Sequence, residues 1–142
     1  MKILVLEGPN LNLLGIMSSR TGGRLTLDKV HRQLRRKSRK TNCELKIFQT
    51  HKVFQALNIL QRNRNWANGL LFAPMAWAHY EYSIQEALSL ISVPTVQLLF
   101  PPEYSSVNRP EDSIFTPLCT QTLVGVPDNL FIQGLDILTA LD

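Results

Sequence analysis

The sequence predicts an α/β protein in which five parallel strands form a doubly wound sheet with helices on both faces. Three observations carry that expectation: apolar runs too short to be helices, amphipathic stretches of helical period, and a regular alternation of the two along 142 residues. Parallel strands are buried on both faces and so read as continuous apolar runs, while right-handed crossovers send the intervening helices to either face.

The first strand is residues 3–6 (ILVL), stopped by Glu7, Gly8 and Pro9, with Asn10 and Asn12 following before Gly15. Ligands of such sheets bind just past the carboxyl ends of the strands, which makes these two asparagines the first candidate site. Asx side chains in turns also satisfy their own backbone; that reading is taken for Asn12 and stays open beside ligand binding for Asn10. Residues 15–24 (GIMSSRTGGR) are small, polar and without apolar period, and are expected to form a mobile loop.

From Thr26 to about Lys40, Leu27, Val30 and Leu34 recur at helical spacing, and Thr26 or Asp28 is placed to satisfy free amides of the first turn. Residues 43–48 (CELKIF) alternate as a second strand. A helix is expected within residues 51–66, closed by Asn68 and Gly69. A third strand follows at residues 70–73, then a helix over residues 77–91. Residues 95–100 (TVQLLF) make a fourth strand, cut off by Pro101 and Pro102. Residues 103–117 show no usable period and read as a long loop. A fifth strand at residues 122–126 leads to a last helix, capped by Asp128 or Asn129, with Leu130, Ile132, Leu135, Ile137 and Leu138 as its apolar stripe. The natural layout is flavodoxin-like, strand order 2-1-3-4-5, in a single domain. It makes neighbours of Asn10, residues 73–79 and residues 99–102.

Composition narrows the class. The chain is 44% hydrophobic and 18% charged and holds no run of about 18 apolar residues, so no membrane span is expected. The N-terminus lacks the pattern of a secretory signal, which makes the cytoplasm the expected location. Cys43 and Cys119 are far apart with no histidine at ligand spacing. Neither a disulfide framework nor a metal site is indicated, and both read as buried apolar fillers.

The net charge of +4 is modest but concentrated. Lys29, Arg32, Arg35, Arg36, Lys37, Arg39 and Lys40 crowd into twelve residues without an acid. With Val30 and Leu34 facing the sheet, these cations cover the rest of the helix, either as a solvated face or as a patch for an acidic protein partner centred on Arg32, Arg35, Arg36 and Arg39. No aromatic stacking platform or nucleic-acid module accompanies them, which weighs against nucleic acid.

Several motifs resemble one family. LVLEGPNLNLLG is similar to LxLNGPNLNxLG of the type II 3-dehydroquinate dehydratases, supported by FQT after the second strand, by APMAWAH against NPGAxTH, and by VPTVQLL against IPVIEVH. The resemblance covers nearly the whole chain. It implies a flavodoxin-like fold, homo-oligomers built from trimers and often dodecamers, and a metal-free, cofactor-free elimination of water. In that reaction a lid tyrosinate, kept ionised by an arginine, removes a proton beside the substrate ketone.

The family's reactive groups do not carry over. The lid GxREPxxYG reads GIMSSRTGG here, which puts Met17 at the arginine and Gly22 at the tyrosine. Ala73 stands at an asparagine, Met75 at a glycine, Leu99 at the histidine acid, Pro101 at a serine that holds the substrate carboxylate, and Pro110 at an arginine. Arg109 lies one residue away and is a candidate for that arginine's role. Asn10, which in the family orders the catalytic water, and His79, of the TH motif, match.

Losing one general acid or base typically costs a factor of about 100 to 10,000, and here base, activating cation and acid are all replaced. The expectation is therefore a pseudoenzyme that binds or scaffolds. The alternatives are an active dehydratase, or an enzyme with a pocket rebuilt for a less polar ligand. Tyr80, Tyr82 and Tyr104 are candidate substitute bases, with Arg20, Arg24 and His51 as partners, although packing is the favoured reading for the tyrosines. For His79, ligand contact and a structural role both stay open.

Overall fold

The structure, a computed structural model, describes residues 1–141. Five parallel strands, β1 (Lys2–Glu7), β2 (Glu44–Gln49), β3 (Gly69–Ala73), β4 (Thr95–Leu99) and β5 (Gln121–Val124), pair in the order β2-β1-β3-β4-β5. This is the flavodoxin-like order expected from the sequence. The register sets Leu4 beside Lys46 and Leu70, and Leu98 beside Leu123, so all five carboxyl ends open on one edge.

Successive side chains of a strand point to opposite faces, which divides the core in two. Ile3, Val5, Leu71, Ala73, Val96 and Leu98 meet α2 (Leu27–Lys40) and α5 (Pro127–Ala140) through Val30, Leu34, Leu130, Phe131, Leu135 and Leu138. Leu4, Leu6, Leu70, Phe72 and Leu99 meet α3 (Val53–Asn63) and α4 (Tyr82–Ile91) through Ala56, Leu60, Ile84, Ala87 and Leu88. Gly134 lets α5 lie close to the sheet, since a Cβ there would stand 2.4 Å from Leu71 Cδ1.

Three expectations need correction, and one open choice is decided. The stretch after Gly15 is not a loop throughout, because α1 (Leu14–Ser19) occupies its start. Leu14 and Ser18 are buried, and Ser18 ties the following turn back, its Oγ accepting the Leu25 amide at 3.0 Å and its carbonyl the Gly23 amide at 2.9 Å. The helix expected at 77–91 is split, with a 3-10 turn at Met75–Ala78 and α4 starting only at Tyr82. Asp128 and Asn129 lie inside α5, whose N-cap is Val126 with Pro127 filling the first position, where its missing N–H is no loss. Of the two expected caps of α2 it is Thr26 that serves, its side chain accepting the Lys29 amide at 3.3 Å.

The loop at 103–117 is also more ordered than its composition suggests. It carries two 3-10 turns, Pro110–Asp112 and Thr116–Leu118, and buries Val107, Ser113 and Phe115. Phe115 packs on Phe72 with ring centroids 5.1 Å apart. Gln97, fully buried in β4, donates to Thr116 Oγ1 at 3.0 Å and Thr122 Oγ1 at 2.9 Å, and its carbonyl oxygen accepts from Ser113 Oγ. A polar side chain in a central strand is thus fully satisfied, and the loop is pinned to the sheet.

Candidate functional site

The site is organised by the turn that ends β1. The Gly8 amide donates to the Ala73 carbonyl at 2.8 Å, and a Cβ on Gly8 would stand 2.2 Å from the Pro74 carbonyl oxygen, a distance no side chain tolerates. Gln49 Nε2 donates to the Gly8 carbonyl at 3.1 Å, which brings in the end of β2. Asn10 then takes the left-handed conformation, φ 73°, that asparagine accepts more readily than most residues. Its amide donates to His51 Nδ1 at 3.3 Å and its carbonyl accepts the Leu13 amide at 2.9 Å. Its backbone is therefore held from both sides.

A pocket of about 230 Å³ lies against this turn, lined by Pro9, Asn10, Met17, Met75, Ala76, Tyr104, Ser105 and Ser106. Sequence reasoning placed residues 99–102 as the third wall, but residues 104–106 form it. The Pro101 carbonyl accepts the amides of Tyr104 at 2.8 Å and Ser105 at 3.1 Å, a turn that folds the chain back over the strand ends. His79 is exposed at the rim, its Nε2 2.9 Å from Ser106 Oγ, so that it braces the serine wall.

The residues that replace family groups divide into two sets. Met17 and Met75 line the pocket. Met75 does so with φ 54°, a left-handed conformation at the position where the family motif has glycine, and an extended side chain there carries a cost of about 1–2 kcal/mol. Ala73 and Leu99 are instead sealed in the two halves of the core. Gly22, φ 81°, is exposed in the turn after α1, and Pro101 and Pro110 are half-buried backbone turns.

Arg109 does not reach the pocket. It sits on the outer turn of the 103–117 loop, where Nε lies 2.8 Å from Asp112 Oδ2 and 3.3 Å from Glu111 Oε1, and these acids raise its pKa further. Tyr80 and Tyr82 are exposed away from the lining, which leaves Tyr104 as the one candidate tyrosine in the pocket. Among the described residues no group of three or more His, Cys, Asp or Glu side chains is placed to hold a metal. Burial pushes the Cys119 thiol up to about 12, far from a nucleophile's range, although it is only partly buried and not the fully enclosed filler expected.

One buried pair escaped sequence reasoning. Glu7, the last residue of β1, is fully buried, and both of its carboxylate oxygens stand 2.9 Å from His31 Nε2 of α2. Burial raises its pKa above the ordinary 4.5, opposed by the hydrogen bond and charge of His31 and by Arg35. The only available signal was an acid immediately after an apolar strand, and that pattern reads equally well as a strand end.

The chain matches the family described as Dehydroquinase class II over residues 1–139. It is 30% identical over 129 residues to the 3-dehydroquinate dehydratase of Sulfurimonas denitrificans, covering 88% of this chain and 78% of that protein. With the 3-dehydroquinate dehydratase of Pelotomaculum thermopropionicum it shares 29% identity over 141 residues, 99% of this chain and 98% of the other. The crystal structure of type II dehydroquinase from Butyrivibrio crossotus superposes with a TM-score of 0.84 at 29% identity, covering 97% of each chain. Among the described residues no helix is long and apolar enough to cross a membrane.

Proposed function

The chain belongs to the class II dehydroquinase family, and from that premise we propose that it no longer dehydrates 3-dehydroquinate and serves as a cytoplasmic, oligomeric binding or scaffolding protein. The observation that carries this reading is the pocket lining, whose eight residues include no charged group. The elimination implied by the family needs an ionised phenol, a cation to keep it ionised and an acid for the leaving hydroxyl. Met17, Gly22 and Leu99 stand in the corresponding positions. A polyhydroxylated carboxylate buried here meets the neutral groups of Asn10, Tyr104, Ser105 and Ser106 beside methionine and alanine but no cation, and a desolvated charge without a paired cation costs several kcal/mol, on the order of 5. At about 230 Å³ the pocket also falls below the usual range of roughly 300–1,000 Å³ for small-molecule sites. What it suits is a small uncharged ligand, hydrogen-bonded by Asn10 or the serines.

The test is the ultraviolet absorbance of the conjugated enone formed from 3-dehydroquinate. Turnover at least 10,000-fold below that of a family member with an intact lid is expected, and a rate within a hundredfold overturns the reading. The oligomer is proposed as a trimer, or as a dodecamer of four trimers, and light scattering in solution reads its mass directly.

A second reading, an active lyase with a rebuilt pocket, has one observation in its favour. Tyr104 brings a phenol into the same pocket as Asn10. If it is the base, Tyr104→Phe abolishes whatever turnover the enone assay finds, whereas a packing tyrosine leaves that rate within a few fold.

A further inference from the structure

The outer face of α2 is the feature that the pocket does not explain. Val30, Leu34 and Ser38 are buried against the sheet, and this fixes the helix about its own axis. At 100° per residue, Arg32, Arg35, Arg36 and Arg39 then fall together on the opposite side, flanked by Lys29 and Lys40. All six are exposed. Lys37, the seventh cation, points sideways and pairs with Asp136 of α5 at 3.5 Å. Among the described residues none of the other six has an acidic side chain within 4.0 Å; Lys29 Nζ donates to the Arg24 carbonyl and Arg32 Nε to that of Asp28.

The spacing of these cations is physically unfavourable in the isolated chain. Arg32 and Arg36, Arg35 and Arg39, and Arg36 and Lys40 are like charges at i,i+4, while Arg32 and Arg35, and Arg36 and Arg39, are like charges at i,i+3. An interface that pairs this face with itself would double the repulsion, so the face is not a symmetric contact between copies. The four central positions are arginine, whose fork binds carboxylates in bidentate fashion. No phenylalanine, tyrosine or tryptophan lies on α2 for a base to stack on, and its one histidine, His31, is turned inward to Glu7.

From this arrangement we infer that the outer face of α2 docks an acidic helical segment of a protein partner, one with carboxylates at i, i+3, i+4 and i+7. The stripe from Arg32 to Arg39 is about 10 Å long, which matches two turns of such a helix. Electrostatic pairing of this kind sets partner choice and encounter rate, and repetition of the stripe in a homo-oligomer multiplies a weak single contact. The inference supplies the scaffold reading with a partner class but depends on α2 alone. The two are tested apart, because the enone assay reports on the pocket and not on the helix.

The experiment uses the full-length protein and three fluorescent probes at 150 mM salt. The first is a 16-residue helical peptide with glutamates at i, i+3, i+4 and i+7. The second is the same composition with its glutamates spread around the helix, and the third is a 16-base-pair DNA duplex. The patterned peptide is expected to bind at least tenfold more tightly than the scrambled one, and the triple variant R35E/R36E/R39E to lose at least a hundredfold. Circular dichroism checks its fold, and R35Q/R36Q/R39Q, which keeps side-chain length without charge reversal, is expected to lose at least tenfold. Three results each overturn the inference: no binding of the patterned peptide, equal binding of both peptides, or tighter binding of the duplex.

Discussion

Removing His31 while leaving Glu7 in place tests how β1 tolerates an acid at its buried end. In His31→Ala the carboxylate loses the ring nitrogen 2.9 Å from both of its oxygens, and the burial that already raises its pKa acts with less opposition. The acid then either stays ionised without a partner or takes up a proton. Protonation sets the ceiling on the damage. Each pH unit above the ordinary 4.5 costs about 1.36 kcal/mol, which gives about 3.4 kcal/mol at pH 7 and about 0.7 kcal/mol at pH 5. The sign follows from the direction of the shift. A raised folded-state pKa means that the folded chain holds a proton the unfolded chain has released, so stability falls as pH rises above 4.5 toward the folded value and returns on acidification. Urea unfolding of His31→Ala beside the double variant Glu7→Gln/His31→Ala isolates this effect, since both share the truncated His31 side chain and only one carries the acid. The single variant is expected to be less stable than the double by up to about 3 kcal/mol at pH 7 and by under about 1 kcal/mol at pH 5. An equal gap at both pH values would refute the reasoning.

Gly8→Ala drives a methyl into the Pro74 carbonyl and is expected to destabilise by about 3 kcal/mol, read as a lower denaturation midpoint, with the Asn10 turn displaced. Gln97→Ala takes the acceptor from Ser113 Oγ and the donor from Thr116 and Thr122 Oγ1, leaving Thr116 only its bond to the Pro110 carbonyl and Ser113 only that from the Phe115 amide, and is expected to cost about 2–4 kcal/mol, with faster amide exchange concentrated in residues 103–117. Arg109→Ala leaves both the melting temperature and the affinity of any pocket ligand unchanged, because its partners are exposed neighbours on its own turn; a weakened ligand in a thermal-shift titration would place it in the site after all.

Fold and site differed in how far the sequence disclosed them. The inner strands were visible because burial on both faces leaves apolar runs such as LLFA and TVQLL, the edge strand β2 was visible by its alternation, and the alternation of strands with amphipathic helices restricts the topology to few choices. Helix α1 was hidden because its stability comes from Leu14 and Ser18 meeting distant groups, whereas its own residues, glycine and two serines among them, are weak helix formers. The site was legible where backbone geometry dictated it. Asn10, Met17 and Met75 share a pocket because the strand ends converge. The wall at 104–106 was not, since it depends on a reversal at Pro101 that leaves no periodic trace, and Arg109 was captured by Glu111 and Asp112, which belong to the same irregular stretch. The Glu7–His31 pair spans 24 residues, a distance across which side-chain pairing is invisible in a single sequence.

The anchoring of residues 103–117 on Gln97 also ties the pocket wall to the sheet. Its carboxamide reaches Ser113 and Thr116 of the loop and Thr122 of β5, so one buried side chain of β4 joins the irregular segment to the edge of the sheet. The wall carrying Tyr104, Ser105 and Ser106 belongs to the same segment, so a change at Gln97, which does not line the pocket, is expected to be felt at the pocket as well as in the sheet.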